Sequence, residues 1–337
     1  MTARSTMAAA LNTALRDAMR EDPAVHVMGE DVGALGGVFR VTDGLAAEFG
    51  DERCWDTPLA ESGILGTAVG MAIYGLRPVV ELQFDAFAYP AFEQLVSHVA
   101  KMRNRTRSGL PMPITIRVPY GGGIGGVEHH SDSSDGLYLQ VPGLHVVTPA
   151  TVADAYGLLR QAVASDDPVV FFEPKRLYRS TGELSPSPVP AIGRAVLRRP
   201  GTSAVLITYG QCLPVCLEAA AAASERGWDV AVLDLRSLVP FDDETVTAAV
   251  RRTGRAVVVH ESSGFGGPGA EFAARVTERC FHYLEAPVLR VTGLDVPYPP
   301  PLLERYYLPT VARVLDALDR LQWDDEPTSG GIDVPGA

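Results

Sequence analysis

One carboxylate, Glu61, stands near the start of "TPLAESGILGTAVGMAIYGLRPVVELQF", residues 57–84, a stretch that is otherwise apolar almost throughout. Taking an unpaired carboxylate out of water costs several kcal/mol, on the order of the penalties that shift its pKa instead. The structural reading of such a group is a buried carboxylate bonded to backbone amides. A second cluster lies in "YGGGIGGVEHHSDSSDG", residues 120–136, where a permissive glycine loop carries His129 and His130 beyond the end of a strand. An imidazole titrates near neutrality and can move protons there, although an exposed loop histidine is the plainer reading. Ser131 lies in no nucleophile-elbow sequence, and His129, His130 and Asp132 are too close in sequence to converge readily on one ion.

A third pattern, Gly264, Gly266 and Gly269 in "HESSGFGGPGAEFAARV", matches a dinucleotide fingerprint and supports a rival reading as a nicotinamide-dependent dehydrogenase. The polar "HESS" before the turn, Pro268 in the loop and the early position of Glu285 weigh against it. A glycine turn that lets a helix pack closely on a sheet is preferred.

Bulk composition removes other classes. The chain has 337 residues, enough for two domains with full cores, and is 46% hydrophobic and 21% charged, as in a soluble globular protein. A formal net charge of -12 argues against a nucleic-acid partner. No apolar run approaches the ~18 residues of a membrane span. The first residues include two arginines, but Asp17, Glu21 and Asp22 follow closely, so the segment reads as a helix rather than a targeting peptide. Ser5 or Thr6 would cap it, and Leu11, Leu15 and Met19 would form its stripe from about Met7 to Arg20. Cys54, Cys212, Cys216 and Cys280 have neither metal nor disulfide spacing, and are expected as buried thiols in a reducing cytoplasm.

Strands and helices must hold the candidate residues in place. "AVHVMGED", "PVVELQF", "MPITIRVPY", "LHVVTP" and "DPVVFFEP" read as strands, alternating with helices at 62–75, "AYPAFEQLVSHVAKMRNR" and "TVADAYGLLRQAVAS". That alternation indicates a parallel sheet covered on both faces. A Pro-, Ser- and Gly-rich stretch interrupts it at 180–201, and the pattern restarts with "SAVLITYG", "DVAVLDLRSLVP" and "RAVVVHE". The expectation is α/β with two parallel-sheet domains, at 1–185 and 203–323, a linker at 186–202 and a disordered tail at 324–337.

In this order, "GEDVG…GGVFRVTDGL", "DTPLAESGILGTAVGMA", "ELQF…YPAFEQL", "HHSDSS", "DPVVFFEPKRLYR" and "RVTGLDVPYP" are recognisable. The sequence resembles, from about residue 5 to 320, the beta subunit of the thiamine diphosphate-dependent 2-oxoacid dehydrogenase component. "GGVFR" and "QF…YPAF" look closer to branched-chain members than to pyruvate dehydrogenase. The resemblance implies a pyrimidine-binding domain followed by a transketolase C-terminal-like domain. Glu61 matches the glutamate that hydrogen-bonds the cofactor's aminopyrimidine. A carboxylate in an apolar wall can share a proton with the ring nitrogen and favour the tautomer that activates the thiazolium. Leu59, Gln83 and Phe87 match positions lining the pyrimidine; Phe87 replaces a tyrosine common among branched-chain relatives and lacks its hydroxyl donor. His130 matches the histidine that orients or protonates the lipoyl dithiolane, with His129 as a supporting neighbour. Asp132 stands where many relatives carry glutamine, and Glu30 is read as a strand-end cap in preference to a cofactor neighbour.

A magnesium-diphosphate site would need a pattern such as G-D-G followed ~30 residues later by Asn, with hard oxygen ligands. "GDE" at 50–52 leads to no such asparagine. In the family the alpha subunit carries that site, so no metal ligands are expected on this chain and thiamine diphosphate would lie between chains. The resemblance further implies two alpha with two beta chains docked on a dihydrolipoyl acyltransferase core, whose lipoyl domain is acylated. In some members potassium sits near the strand matching "ITIRV". A pyruvate or acetoin dehydrogenase beta subunit and a two-component thiamine-dependent carboligase are the alternatives; a carboligase would not need lipoyl chemistry at His130.

Overall fold

The run "VVFF" lacks the polar alternation of a half-exposed strand, whereas "ITIRV" alternates apolar and polar residues, yet the chain buries both on both faces. The computed structural model describes residues 3–184 and 189–322. Its first half contributes β1 (Ala3–Thr6), β2 (Val25–Gly29), β3 (Cys54–Asp56), β4 (Arg77–Glu81), β5 (Thr115–Tyr120), β6 (His145–Val147), β7 (Val169–Pro174) and β8 (Thr181–Leu184). The second half adds β9 (Val196–Arg199), β10 (Ala204–Thr208), β11 (Val230–Asp234), β12 (Ser237–Val239), β13 (Ala256–Ser263) and β14 (Leu289–Gly293). One sheet has the order β12-β6-β7-β5-β4-β2-β3 and the other β14-β13-β10-β11-β9, while β1 and β8 form an antiparallel pair. Both sheets are parallel except for β12 and β9 at their edges. The expected tail at 324–337 lies outside the described residues. Among the described residues no helix is long and apolar enough to cross a membrane.

The helix Met7–Glu21 is capped as expected: Thr6 Oγ1 accepts from the Ala9 amide, and Leu11, Leu15 and Met19 are buried. All four cysteines are buried and free. Four features depart from the sequence reading. "AYPAFEQLVSHVAKMRNR" is not one helix but Tyr89–Gln94, a wider turn at Leu95–Val99 and Met102–Arg105. There the Ala100 amide reaches back five residues to the Leu95 carbonyl, and Gly143 approaches so closely that a Cβ on it would lie 2.0 Å from the Ala100 oxygen. "DVAVLDLRSLVP" splits into β11 and β12, and β12 crosses to the first sheet, antiparallel to β6. The break falls at Arg236, which has a φ of 60° and a buried guanidinium bonded to Asp154 and to the Arg194 and Pro190 carbonyls. Within 186–202, β9 joins the second sheet. The helix Glu61–Ile73 buries Ile64, Leu65, Ala68 and Ala72 and packs Val69 and Met71 in part against the same core, whereas Ser62, Gly63, Gly66, Thr67 and Gly70 are exposed.

Charge is buried at the centre of the first sheet. Arg117 on β5 is fully enclosed, with Nη1 2.5 Å from Glu81 on β4 and Nε 2.6 Å from Glu173 on β7. Tyr178 donates a further bond to Glu173 at 2.6 Å. In the second sheet, Gly269 supports the close-packing reading: its amide donates to His260 Nε2 at 3.0 Å, and a Cβ there would lie 2.4 Å from that nitrogen. With Nε2 accepting, Nδ1 carries the proton and donates to Ser262 Oγ at 2.9 Å.

Two stability measurements check these buried groups. Arg117→Met leaves Glu81 and Glu173 buried without their cation, a loss of about 3–5 kcal/mol by analogy with broken buried pairs. Its urea midpoint should fall steeply, and an unchanged midpoint would refute the pairing. Burial, aided by the nearby Arg290 charge, holds His260 neutral down to about pH 3, against an ordinary value of 6.5. Unfolding therefore takes up a proton between those limits, so stability present above the unfolded value is lost as the pH falls through the window. Between about pH 7 and 5 the melting temperature should drop more steeply for the native chain than for His260→Gln, which cannot titrate. Parallel slopes would contradict the burial of a neutral ring.

Candidate active site at the carboxyl ends of the first sheet

Strands β5, β4, β2 and β3 are consecutive neighbours and all parallel, so their carboxyl ends share one edge of the sheet. Open α/β sheets bind ligands along such an edge, where loops leave the strands. The candidate residues leave from there: Glu30 follows β2, Leu59 and Glu61 follow β3, Gln83 and Phe87 follow β4, and His129, His130 and Asp132 follow β5.

Two carboxylates face each other's field. Glu30 is only 7% exposed, and its buried Oε1 has no hydrogen-bond partner. Burial first, then the charges of Glu61 and Asp31, push its carboxyl up. Among the described residues no backbone amide donates to the Glu30 carboxylate, as the strand-end cap read for it would require. Glu61 opens the helix Glu61–Ile73, is half-buried, and accepts no backbone amide among the described residues. The helix N-terminus there favours a negative charge. Gln83 Nε2 donates to Asp31 Oδ2 at 2.8 Å and lies 3.4 Å from the Glu30 carbonyl, joining the β4 end to the β2 loop. Leu59 is 79% exposed, with no wall of this chain around it.

On the β5 side, His130 stands edge-on to Phe84 and Phe87, with ring centroids 4.5 and 5.4 Å away. Its Nδ1 is buried without a partner, as is Ser131 Oγ. His129 is not drawn in: its side chain is 65% exposed, with Nε2 3.9 Å from Glu128 Oε1. Asp132 takes its hydrogen bond from the Tyr89 hydroxyl at 3.0 Å, not from His130. Burial raises the Asp132 carboxyl.

The sequence reading missed the groups beneath this loop. Lys175 Nζ is buried without a hydrogen-bond partner, 5.3 Å from the centre of the Phe84 ring that His130 also packs on. Asp85 accepts the Ser134 amide at 2.6 Å and the Ser134 hydroxyl. Burial pushes the Asp85 carboxyl up and the Lys175 ammonium down. The available signal was charge against an apolar background: Lys175 in "FFEPK", Arg117 in "ITIRV" and Glu173 in "VVFFEP". The arrangement offers two carboxylates near enough for the charge of one to act on the other, an aromatic floor and an imidazole whose buried Nδ1 has no partner. Among the described residues no group of three or more His, Cys, Asp or Glu side chains could hold a metal ion.

Comparison with known proteins gives a concordant result. Residues 3–181 match the family model "Transketolase, pyrimidine binding domain", and residues 193–314 match "Transketolase, C-terminal domain". The 3-methyl-2-oxobutanoate dehydrogenase subunit beta of Mycobacterium tuberculosis (strain ATCC 25618 / H37Rv) is 52% identical, over 94% of this chain and 91% of that one. The pyruvate dehydrogenase E1 component subunit beta of Leifsonia xyli subsp. xyli is 49% identical over 93% and 94%. The 2-oxoisovalerate dehydrogenase subunit beta of Pseudomonas aeruginosa is 45% identical over 94% of each chain. A solved "Split gene transketolase, inactive beta4 tetramer" has the same fold, with a TM-score of 0.73 at 24% identity over 94% of this chain and 97% of that one. With its two transketolase domains and these relatives, the chain belongs to the family of 2-oxoacid dehydrogenase beta subunits.

Proposed function

We propose that this chain, with an alpha subunit, carries out thiamine diphosphate-dependent oxidative decarboxylation of a branched-chain 2-oxoacid and passes the acyl group to a lipoyl domain. The carrying observation is the pair Glu30 and Glu61, held at adjacent strand ends with one buried carboxylate oxygen unpartnered. An aminopyrimidine fits that edge: it offers a ring nitrogen and an amine to the carboxylates and an apolar face to Leu59 and Phe87. The branched-chain preference rests on the substrates named for the Mycobacterium tuberculosis and Pseudomonas aeruginosa relatives. The domain division at 1–185 and 203–323, with its linker at 186–202, is part of the same proposal, as is a cytoplasmic setting.

When bound, the cofactor supplies a carbon that adds to the 2-oxoacid carbonyl and takes up the electron pair left as carbon dioxide departs. Glu61 would hold the proton at the pyrimidine nitrogen, and Glu30, whose carboxyl is raised by burial and by Glu61, would keep that proton within the pair. Leu59, Gln83 and Phe87 would orient the ring, and Phe87 with Phe84 would hold His130 edge-on. His130 would deliver a proton to the lipoyl sulfur. The open face of the helix Glu61–Ile73 supports a second chain over the site, because a Cβ on Gly70 would meet nothing within 4 Å. The alpha subunit would bring the magnesium-diphosphate half, in an assembly of two alpha and two beta chains docked on an acyltransferase core.

Two acceptors separate the roles. Glu61→Ala should lower turnover by about a hundredfold or more with either ferricyanide or a lipoyl domain, a loss that begins at the lower end of the usual range for proton transfer. His130→Ala should abolish lipoyl acylation while sparing ferricyanide-coupled decarboxylation. Full turnover in Glu61→Ala would refute the assignment, and native decarboxylation without lipoyl acylation would point to a carboligase.

A further inference from the structure

The loop from Gly121 to Ser134 is held from the other sheet. Glu261 on β13 is 3% exposed, and its Oε1 accepts the Gly122 amide at 2.5 Å while lying 3.5 Å from Ser133 Oγ at the far end of the loop. Its Oε2 takes Arg176 Nη2 at 3.1 Å. The neighbouring Gly123 amide donates to Glu304 Oε1 at 2.7 Å and lies 3.2 Å from the Tyr298 hydroxyl, which itself bonds Glu304. The base of the loop is closed by the Gly121 amide on the Asp132 carbonyl at 2.7 Å.

This seat is shaped for glycine. A Cβ on Gly122 would lie 1.8 Å from the Tyr298 hydroxyl, and one on Gly123 would lie 2.6 Å from Arg176 Cδ. Gly123 also has a φ of 82°, a conformation that other residues rarely adopt. A buried carboxylate is costly in a strand that is otherwise apolar at "AVVV", so its partners matter. Burial raises the Glu261 carboxyl, while the Arg176 charge and the Gly122 amide pull it down.

We infer that Glu261 is the positioning residue of the His130 loop, a pin from the second sheet that joins Gly122 to Ser133 and so sets where the imidazole meets an acceptor. Resting on the reading of His130 as the lipoyl-side histidine, the inference assigns Glu261 to the acyl-transfer half-reaction. It does not act on the Glu30–Glu61 pair, which hangs from β2 and β3. Buried behind the loop, Glu261 works through the backbone and does not touch reactants. Without it, the Gly122 amide and Arg176 lose their acceptor and the loop samples more positions.

The test uses the assembled enzyme, co-expressed with its alpha subunit, and compares two acceptors. Glu261→Ala should lower kcat for lipoyl-domain acylation by about tenfold or more, the scale of a small misplacement of a catalytic group. The ferricyanide rate and the KM for the 2-oxoacid should stay within about twofold. Glu261→Gln, whose carbonyl still accepts from Gly122, should recover most of the loss. Amide exchange across 121–134 should quicken about tenfold in Glu261→Ala and little in Glu261→Gln. Tyr298→Phe, which removes one partner at Gly123, should show the same split at about threefold, and serves if Glu261→Ala does not assemble. Equal losses with both acceptors, or unchanged exchange, would overturn the inference. If the native assembly turns over no 2-oxoacid, the proposed function fails, and the exchange comparison alone decides whether Glu261 pins the loop.

Discussion

Arg117 joins three strands with one side chain. Its guanidinium lies between Glu81 on β4 and Glu173 on β7, fully out of water, so each of the three charges depends on the others to be tolerated there. The loops that leave the carboxyl ends of β4 and β5 carry Gln83, Phe87 and His130, and β7 runs directly into Lys175. Glu81 reaches further, because Gly37 in the loop after β2 comes within 3.5 Å of its carboxylate when given a Cβ. The same cluster that orders the sheet therefore fixes the heights from which the site residues depart.

The second half of the chain extends that control. Through β12 it adds an edge strand to the first sheet, and through Glu261, Tyr298 and Glu304 it grips the glycine loop. What it leaves open is the other side of Glu61. Leu59 and one face of the Glu61 helix remain uncovered, and Glu61 is only half-buried. A site with one wall formed and one open is what a chain that works with a partner should present. The low-dielectric setting that the role proposed for Glu61 requires would be completed only when the partner excludes water.

Much of this was legible in the sequence, for identifiable reasons. Apolar runs separated by helices report a doubly covered parallel sheet, and Thr6 caps the first helix as its position suggests. Glu61 was conspicuous because charge is costly inside an apolar run. The same criterion applied to "ITIRV", "VVFFEP" and "VVVHE" would have found Arg117, Glu173 and Glu261. Pairings between distant segments were not legible: the crossing of β12 depends on a turn at Arg236 that no local pattern marks. Nor could spacing separate His129 from His130, since adjacent residues on a tight turn point to different surroundings. The small and apolar content of 62–75 reads as that of a packed helix, but such content alone does not say whether the partner is in the same chain.

The most direct measurement is thiamine diphosphate binding and 2-oxoacid turnover by this chain alone, by the alpha subunit alone and by the two together, with magnesium supplied throughout. Tight binding and turnover are expected only for the pair, with branched substrates preferred and the lipoyl domain acylated. Turnover of a 2-oxoacid by the isolated chain would contradict the half-site, and binding of a nicotinamide cofactor would return the glycine turn at Gly264 to consideration.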